Sequence, residues 1–293
     1  MPRARVLAAY CLLVYAGGWG LQFAALSATR DLESPAAMPY LLGAMAVPGL
    51  VALAFAALHR PSREVLAWRP RWAMLPMLIP AVAIPTLTAF VVMAVLASLG
   101  LAHSGWFTFS GEEVAISGGP WLLGKGLQAW PLFIANVAVT GFAYAALSAI
   151  PAVGEELGWR GYLLAPLVEK LGTGRGIILL GLIWSFWHLP GLLSGYNYPE
   201  TPQLGALVIS PLELVGVSFF LAWLTVRSGS FWPAALAHGA GNSIQEGVTA
   251  NLRMTARLPE DLTTMALSLL VGVVCWGLLA GWRNRTAERR ITA

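Results

Sequence analysis

The sequence predicts an all-α fold: a polytopic membrane helix bundle of about eight transmembrane helices, in which residues 1–293 form a single integral-membrane domain. Composition is the first observation behind this prediction, because 57% of the residues are hydrophobic and only 11% are charged, against roughly 25% charged in a soluble domain. The mean hydropathy of +0.69 is the second. Together they exclude a water-soluble globular domain, and the 13 Trp, 11 Phe and 7 Tyr exclude a disordered chain.

Eight apolar runs are long enough to cross a bilayer as helices, since a hydrocarbon core of about 30 Å needs about 20 such residues. The predicted spans cover residues 6–27, 38–58, 74–101, 130–152, 176–195, 206–226, 231–249 and 263–282. Pro76, Pro80 and Pro85 predict that the third span is kinked or begins as an interfacial turn.

Two connecting segments differ from plain loops. Residues 153–175 are too polar for an ordinary span and too apolar for a loop, and their conformation stays open at this point. The longest connection, residues 102–129, carries Trp106, Phe107 and Phe109. We expect it to lie on the membrane surface.

The distribution of Lys and Arg predicts the orientation of the spans. With the N-terminus inside, four of the 18 basic residues fall in external segments, namely Arg30, Lys125, Arg253 and Arg257. The other 14 fall in internal segments, which predicts that both termini are cytoplasmic. Because the basic residues lie between apolar runs, the net charge of +4 indicates a lipid bilayer as a partner and no nucleic acid.

Three polar clusters interrupt the apolar sequence, and an ionisable residue inside a membrane is costly enough to indicate function. The first contains Glu155, Glu156 and Arg160 at the end of the fourth span. On a helix, Glu156 and Arg160 are i,i+4 neighbours that can pair, and Glu155 is rotated away from them by about 100°. Taken alone, this cluster also fits an interfacial turn with a solvated salt bridge.

The other two clusters lie inside predicted spans: His188 in the fifth, and His238 with Asn242, which share one helical face, in the seventh. A satisfied core histidine and interhelical hydrogen bonding are the plain explanations. Depth favours a common site. His188 lies 13 residues beyond Arg175 and His238 11 residues beyond Arg227, which places them about 20 Å and 17 Å from the cytoplasmic edge. Glu155 reaches this level if the fourth helix is long.

These side chains suit hydrolysis of a carbonyl compound. A desolvated Glu can act as a general base near neutral pH, and the remaining donors can stabilise the developing oxyanion. Alternatively, Glu155, His188 and His238 match the two-His-one-Glu ligands of a catalytic divalent metal such as zinc, with Glu156 as the base. The sequence leaves both assignments open.

Other hydrolase types lack their residues in this chain. It contains neither His-Glu-x-x-His nor Gly-x-Ser-x-Gly. Asp31 and Asp261 are its two aspartates, both in predicted external loops, which excludes an intramembrane aspartyl dyad. Glu112 and Glu113 imitate the first cluster, but they lie on the external side without an Arg at the matching spacing.

The order and spacing of Glu155-Glu156-x-x-x-Arg160, aromatic-x-x-x-His188 and His238-x-x-x-Asn242 resemble the three motifs of the CPBP intramembrane protease family. This family is also called the Abi or CAAX-protease family and includes the prenyl-protein endopeptidases. The motif-bearing core covers roughly residues 130–250. The sequence departs from the family pattern at one position, where Trp184 replaces the usual Phe. Because an aromatic wall is kept, we expect a reshaped pocket.

The resemblance implies an intramembrane endopeptidase of a bacterial cell membrane, with a site that opens toward the cytoplasm. Its substrate would be a membrane-associated protein or peptide, including lipidated ones. Glu155 would activate water with the help of His188. His238 and Asn242 would stabilise the oxyanion or hold a metal, and Glu156 and Arg160 would organise the site. The family implies a metalloprotease, although a glutamate mechanism without metal fits the same residues.

Two other functions remain open from the sequence. A proton-coupled transporter could line its ion path with the same Glu and His residues. A non-catalytic immunity or scaffold protein could use the cluster to bind a partner. Glu213, beside Pro211 in the sixth span, and Glu246, two helical turns past His238, are assigned no role.

Overall fold

The computed structural model describes the backbone of residues 2–291 and the side chains of residues 2–63 and 65–280. Its α-helices are α1 Ala4–Thr29, α2 Met38–Leu58, α3 Arg60–Glu64, α4 Leu75–Ser98, α5 Trp130–Glu156, α6 Leu164–Leu171, α7 Thr173–Trp187, α8 Leu189–Leu193, α9 Pro202–Leu204, α10 Ser210–Ser228, α11 Trp232–Ala240, α12 Glu246–Thr249 and α13 Leu258–Ile291. Wider π-helical segments span Leu157–Leu163, Gly205–Ile209 and Gly241–Gln245, and 3-10 turns span Pro35–Ala37 and Trp72–Met74.

Within the described residues, six helical stretches are long and apolar enough to cross a membrane. They are Ala4–Thr29, Pro35–Leu58, Trp72–Ser98, Trp130–Leu171, Pro202–Ser228 and Leu258–Ala280. The chain is therefore an integral, multi-pass helical membrane protein. The fifth and seventh predicted spans correspond to shorter helices, α7 with 15 residues and α11 with 9, so the count of eight spanning helices stays a prediction.

The segment that was left open in the sequence continues the fourth span. The Leu157–Leu163 π-helical segment and α6 extend α5 into one helical stretch of 42 residues, Trp130–Leu171. Glu155 therefore lies near the middle of this stretch. A long fourth helix is what the prediction that Glu155 reaches the depth of His188 and His238 required. At the third span, the 3-10 turn Trp72–Met74 precedes α4, which runs through Pro80 and Pro85, so the span begins as a turn.

Contacts between loops divide them into two ends of the molecule. At the first, which we call the basic end, residues 59–74, 157–172 and 228–231 meet. There the Ala67 N–H donates to Gly161 O at 2.9 Å, and the Phe231 N–H donates to Ala67 O at 3.0 Å. The predicted alternation of spans places these same loops together on the internal side of the membrane.

At the second end, which we call the strand end, five short strands lie among the other loops. β1 Ala102–Ser104 pairs with β5 Leu252–Met254 in antiparallel register. β2 Phe107–Phe109, β3 Glu113–Ile116 and β4 Gly126–Ala129 form an antiparallel sheet in the order 2-3-4. The long connection therefore folds as a small sheet, an addition to the predicted all-α bundle. Its exposed Phe109 and Leu127 are consistent with the expected location at the membrane surface.

Close helix contacts through glycine bring the motif helices together. A Cβ on Gly154 would lie 2.5 Å from Met45 O of α2, and one on Gly239 would lie 2.4 Å from Ala149 N of α5. Neither position has room for a larger residue, because real Cβ contacts do not occur at such distances. Gly154 thus fixes α5 against α2, and Gly239 fixes α11 against α5, immediately beside His238.

Candidate active site

A buried carboxylate links the first and third motifs. Glu156 Oε1 accepts hydrogen bonds from Arg160 Nη1 and His238 Nδ1, each at 2.8 Å. Glu156 is 0% exposed and Arg160 1%. The predicted i,i+4 pair therefore exists as a buried ion pair, which needs further hydrogen bonds to offset the cost of desolvation. His238 and Ser218 Oγ, which accepts from Arg160 Nη2 at 3.0 Å, provide two of them. Among the described residues, Glu156 Oε2 and Arg160 Nε are buried without a hydrogen-bond partner.

The burial of Arg160 removes it from the basic loop residues whose distribution predicts the orientation of the spans. Arg160 was counted among the internal loop residues, whereas the structure buries it against Glu156, Ser218 of α10 and the ring of Trp184 of α7. It therefore contributes to the site and not to the charge of a loop. The remaining bias is unchanged in direction. The four arginines after the last span, Arg283, Arg285, Arg289 and Arg290, lie outside the described side chains.

The other carboxylate, Glu155, faces the second motif. It is 1% exposed, and its Oε2 accepts from Trp184 Nε1 at 2.7 Å and from Trp159 Nε1 at 3.4 Å. The predicted rotation of Glu155 away from the Glu156–Arg160 pair is confirmed. Two indole donors orient this carboxylate, so its two oxygens are inequivalent.

Trp184 connects several parts of the site. Besides its bond to Glu155, its ring lies 4.3 Å from the guanidinium carbon of Arg160 and 5.3 Å from the His238 ring. A cation over an aromatic face is attracted by the ring quadrupole. The sequence predicted an aromatic wall at this position but not the hydrogen bond, which a Phe could not make.

His188 lies at the break that follows α7. Its Nδ1 is 3.0 Å from Trp184 O, and because a carbonyl only accepts, Nδ1 carries the proton and Nε2 is the free acceptor in the neutral ring. His188 is half-buried, as expected for a group at the edge of a cavity.

Side chains of α1 hold this break, which sequence reasoning missed. Gln22 Nε2 donates to Trp187 O at 2.9 Å, and Gln22 Oε1 accepts from the Gly191 N–H at 3.1 Å. Trp19 Nε1 also donates to Trp187 O, at 3.1 Å. Gln22 therefore bridges the residues on either side of His188. A lone Gln in an apolar span was the available signal.

Asn242 stands on the Gly241–Gln245 π-helical segment. It continues the face of His238, and its side chain is exposed, whereas His238 is 9% exposed. π-helical segments occur mostly as single-turn bulges, frequently at functional sites. Two of the three here, Leu157–Leu163 and Gly241–Gln245, contain motif residues. The structure thus brings Glu155, Glu156, Arg160, His188 and His238 around Trp184, with Asn242 one turn beyond.

The predicted metal ligands are Glu155, His188 and His238. In the part of the chain that the structure describes, no group of three or more His, Cys, Asp or Glu side chains is arranged to hold a metal ion. Each imidazole uses Nδ1 for a contact with a protein oxygen, which is the contact that metal-ligating histidines usually make through the ring nitrogen that does not bind the metal. Oε2 of Glu155 accepts from two indoles. Metal dependence through Glu155, His188 and His238 stays a prediction. Glu213 lies elsewhere and accepts from Tyr198 OH at 3.2 Å.

Fold and site define a class: a helical membrane protein with carboxylates, imidazoles and a guanidinium clustered away from water. Residues 135–244, which include all six predicted site residues, match the family model described as Type II CAAX prenyl endopeptidase Rce1-like. The chain is also 38% identical over 75 residues to CAAX prenyl protease 2 of Methanococcus maripaludis. That alignment covers 26% of this chain and 26% of the relative, so the chain spans about a quarter of the curated relative it matches. The resemblance to the CPBP, or CAAX-protease, family is confirmed and rests on the middle of the chain.

Proposed function

We propose that this protein is an intramembrane endopeptidase that hydrolyses a peptide bond in a membrane-associated protein or peptide. The observation that carries the proposal is the shared carboxylate: Glu156 binds Arg160 and His238 through one oxygen, whereas Glu155 accepts its hydrogen bonds from Trp184 and Trp159. We therefore assign Glu156 a structural role in the site and Glu155 a chemical role. This arrangement supports Glu155 as the base and Glu156 as the organising residue.

Glu155 would accept a proton from the attacking water. The indole N–H of Trp184 holds Oε2 at 2.7 Å, so Oε1 is the oxygen that can receive the proton. His188, with Nδ1 committed to Trp184 O, presents Nε2 to the same water. A buried carboxylate beside an imidazole acceptor is suited to general-base catalysis.

His238 and Asn242 would stabilise the oxyanion. When charged, the His238 ring carries an N–H on both nitrogens. Glu156 accepts one of them, which leaves Nε2–H for the substrate oxygen. The side-chain amide of Asn242 supplies a second donor. Removing one such donor typically costs about 100- to 1,000-fold in kcat.

The reaction balances with these groups alone. Water oxygen bonds to the carbonyl carbon while Glu155 takes the proton, and the carbonyl electrons move to oxygen as an oxyanion. The carbonyl re-forms, the C–N bond breaks, and the proton held by Glu155 passes to the leaving amine. No step is assigned to a metal.

The test uses purified wild type in detergent beside Glu155→Gln and His238→Ala. Each protein is incubated with membrane-anchored and prenylated peptides, with and without chelator, and the products are read by mass spectrometry. Cleavage by wild type that both variants lose supports the proposal, and the chelator arm decides metal dependence. A folded wild type that cleaves no peptide but conducts ions would favour a transporter. A folded wild type that cleaves no peptide but binds a partner, with a function that tolerates Glu155→Gln, would favour a scaffold.

A further inference from the structure

The loop between α2 and α4 lies where two membrane-spanning stretches end on the same side. The stretch Pro35–Leu58 ends immediately before it, and the stretch Trp72–Ser98 begins immediately after it. The helices on either side therefore hold residues 59–71 close to one surface of the bilayer. These residues include four arginines and one glutamate, so the loop carries a net positive charge.

Aromatic and basic side chains alternate in the second half of this loop. Trp68 is 51% exposed and Trp72 is 87% exposed, and Arg69 and Arg71 are exposed between them. Tryptophan is enriched at the membrane–water interface, where its apolar ring and polar N–H are both accommodated. In the part of the chain that the structure describes, the guanidinium groups of Arg69 and Arg71 form no hydrogen bond or ion pair. Both groups are presented to the surroundings of the protein.

A neighbouring loop adds positive charge to the same surface. Arg227 is exposed in the last turn of α10. Arg71 lies beside the turn that follows, because a Cβ on Gly229 would come 3.1 Å from Arg71 Cδ. Clusters of at least four Lys or Arg residues next to a spanning helix attract anionic lipid headgroups. The surface is therefore complementary in charge to the phosphates of an anionic bilayer.

The backbone of the loop also joins two elements that carry the site. The Ala67 N–H donates to Gly161 O of the first π-helical segment at 2.9 Å, and Ala67 O accepts from the Phe231 N–H at 3.0 Å. Trp68 O accepts at 2.9 Å from Nε1 of Trp232, the first residue of α11. Two consecutive residues of the loop thus bridge the first π-helical segment and α11.

The same two elements meet again at Glu156. The first π-helical segment contains Arg160 and α11 contains His238, and both side chains bind Glu156 Oε1 at 2.8 Å. The loop and the carboxylate therefore connect one pair of elements at two places. A change in how the loop is held should change the position of Arg160 relative to His238.

We propose that residues 59–72 bind the headgroups of anionic phospholipids, and that this contact stabilises the bridge formed by Ala67. Arg69 and Arg71 contact the headgroup phosphates, and the two exposed tryptophans lie at the interface between headgroups and acyl chains. The protein is then more active in a bilayer rich in anionic lipid. This last consequence rests on the proposed function, whereas lipid binding and the stabilised bridge do not.

Hydrogen–deuterium exchange tests the proposal without any cleavage. The full-length protein is placed in nanodiscs of phosphatidylcholine, alone or mixed with phosphatidylglycerol, and exchange is followed in peptides that contain the Ala67 and Phe231 amides. We expect phosphatidylglycerol to slow exchange of both amides in wild type. Arg69→Gln/Arg71→Gln should lose this protection. Melting in phosphatidylcholine nanodiscs confirms that the variant is folded.

Two further variants separate headgroup binding from net charge. Lys125→Gln/Arg253→Gln removes the same charge from exposed positions at the strand end and should keep the protection seen in wild type. Arg69→Lys/Arg71→Lys keeps the charge in place and should retain most of the protection. Equal losses in the two Gln variants, or no effect of phosphatidylglycerol on folded wild type, would overturn the proposal.

The affinity for lipid gives the magnitude of the effect. In mixed detergent micelles, Arg69→Gln/Arg71→Gln should need about 30-fold more phosphatidylglycerol for half-maximal thermal stabilisation, since each basic residue near an anionic surface contributes about 1 kcal/mol. Inorganic phosphate and polyglutamate are tested separately. Equal stabilisation by either at the same anion concentration would contradict the lipid assignment. Because exchange and melting need no hydrolysis, absence of cleavage would count against the proposed function alone.

Discussion

The indole N–H of Trp184 donates a 2.7 Å hydrogen bond to Oε2 of Glu155. The same ring lies under the guanidinium of Arg160. The resemblance to CPBP proteases leads to the expectation of Phe here, and a Phe would keep the wall but lose the donor. In this chain, position 184 therefore orients the proposed catalytic carboxylate as well as shaping the pocket.

Trp184→Phe should lower kcat/KM by about 10- to 100-fold, since a hydrogen bond to a charged group contributes about 1.5–3 kcal/mol. Trp159→Phe removes the longer 3.4 Å donor and should cost less. Initial rates on a cleaved peptide check both, with thermal melting to confirm folding. A larger loss for Trp159→Phe would show that Trp184 does not hold Glu155.

Glu156→Gln should destabilise the fold by about 3–5 kcal/mol, because it leaves Arg160 charged and buried without its partner. The double variant Glu156→Gln/Arg160→Met should recover much of this stability but no activity, since His238 still lacks its carboxylate. Melting temperatures and cleavage rates in detergent separate the two effects. Recovery of activity in the double variant would contradict the organising role of Glu156.

Gln22→Leu should lower kcat more than it raises KM, because Gln22 holds the break at His188 through Trp187 O and the Gly191 N–H. Tyr15→Phe is the matched control. It removes a 2.7 Å bond from the same helix to Ile183 O, more than one turn before His188, and should leave kcat nearly unchanged, because the lost bond does not hold the break at His188. Equal losses of kcat would indicate a general role of α1 in packing.

Gly239→Ala should destabilise the protein by about 1–3 kcal/mol, the usual cost of overpacking, since the added methyl meets Ala149 N at 2.4 Å. It should also weaken activity by moving His238 from Glu156. Gly241→Ala, where a methyl meets open space, should be neutral in both respects. Melting and cleavage assays of the pair check this, and equal stability of both variants would contradict the close approach of α11 and α5.

The sequence predicted those parts of the site that depend on helical spacing and depth. The Glu156–Arg160 pair follows from i,i+4 geometry, and Glu155 reaches the level of the histidines because the fourth helix continues to Leu171. Contacts between distant elements could not be predicted. The bond from Trp184 to Glu155 and the bridge by Gln22 join residues 29 and more than 160 positions apart. The π-helical segment that carries Asn242 has no recognised sequence signal, and α11 is too short to resemble its predicted span.

The measurement that tests the central claim most directly compares cleavage rates of wild type, Glu155→Gln and Glu113→Gln on one peptide. Both substitutions exchange a carboxylate for an isosteric amide, but Glu113 is exposed on β3. If Glu155 is the general base, Glu155→Gln should lose about 100- to 10,000-fold in kcat without a change in melting temperature, and Glu113→Gln should match wild type. A folded Glu155→Gln variant that retains wild-type kcat would contradict the account.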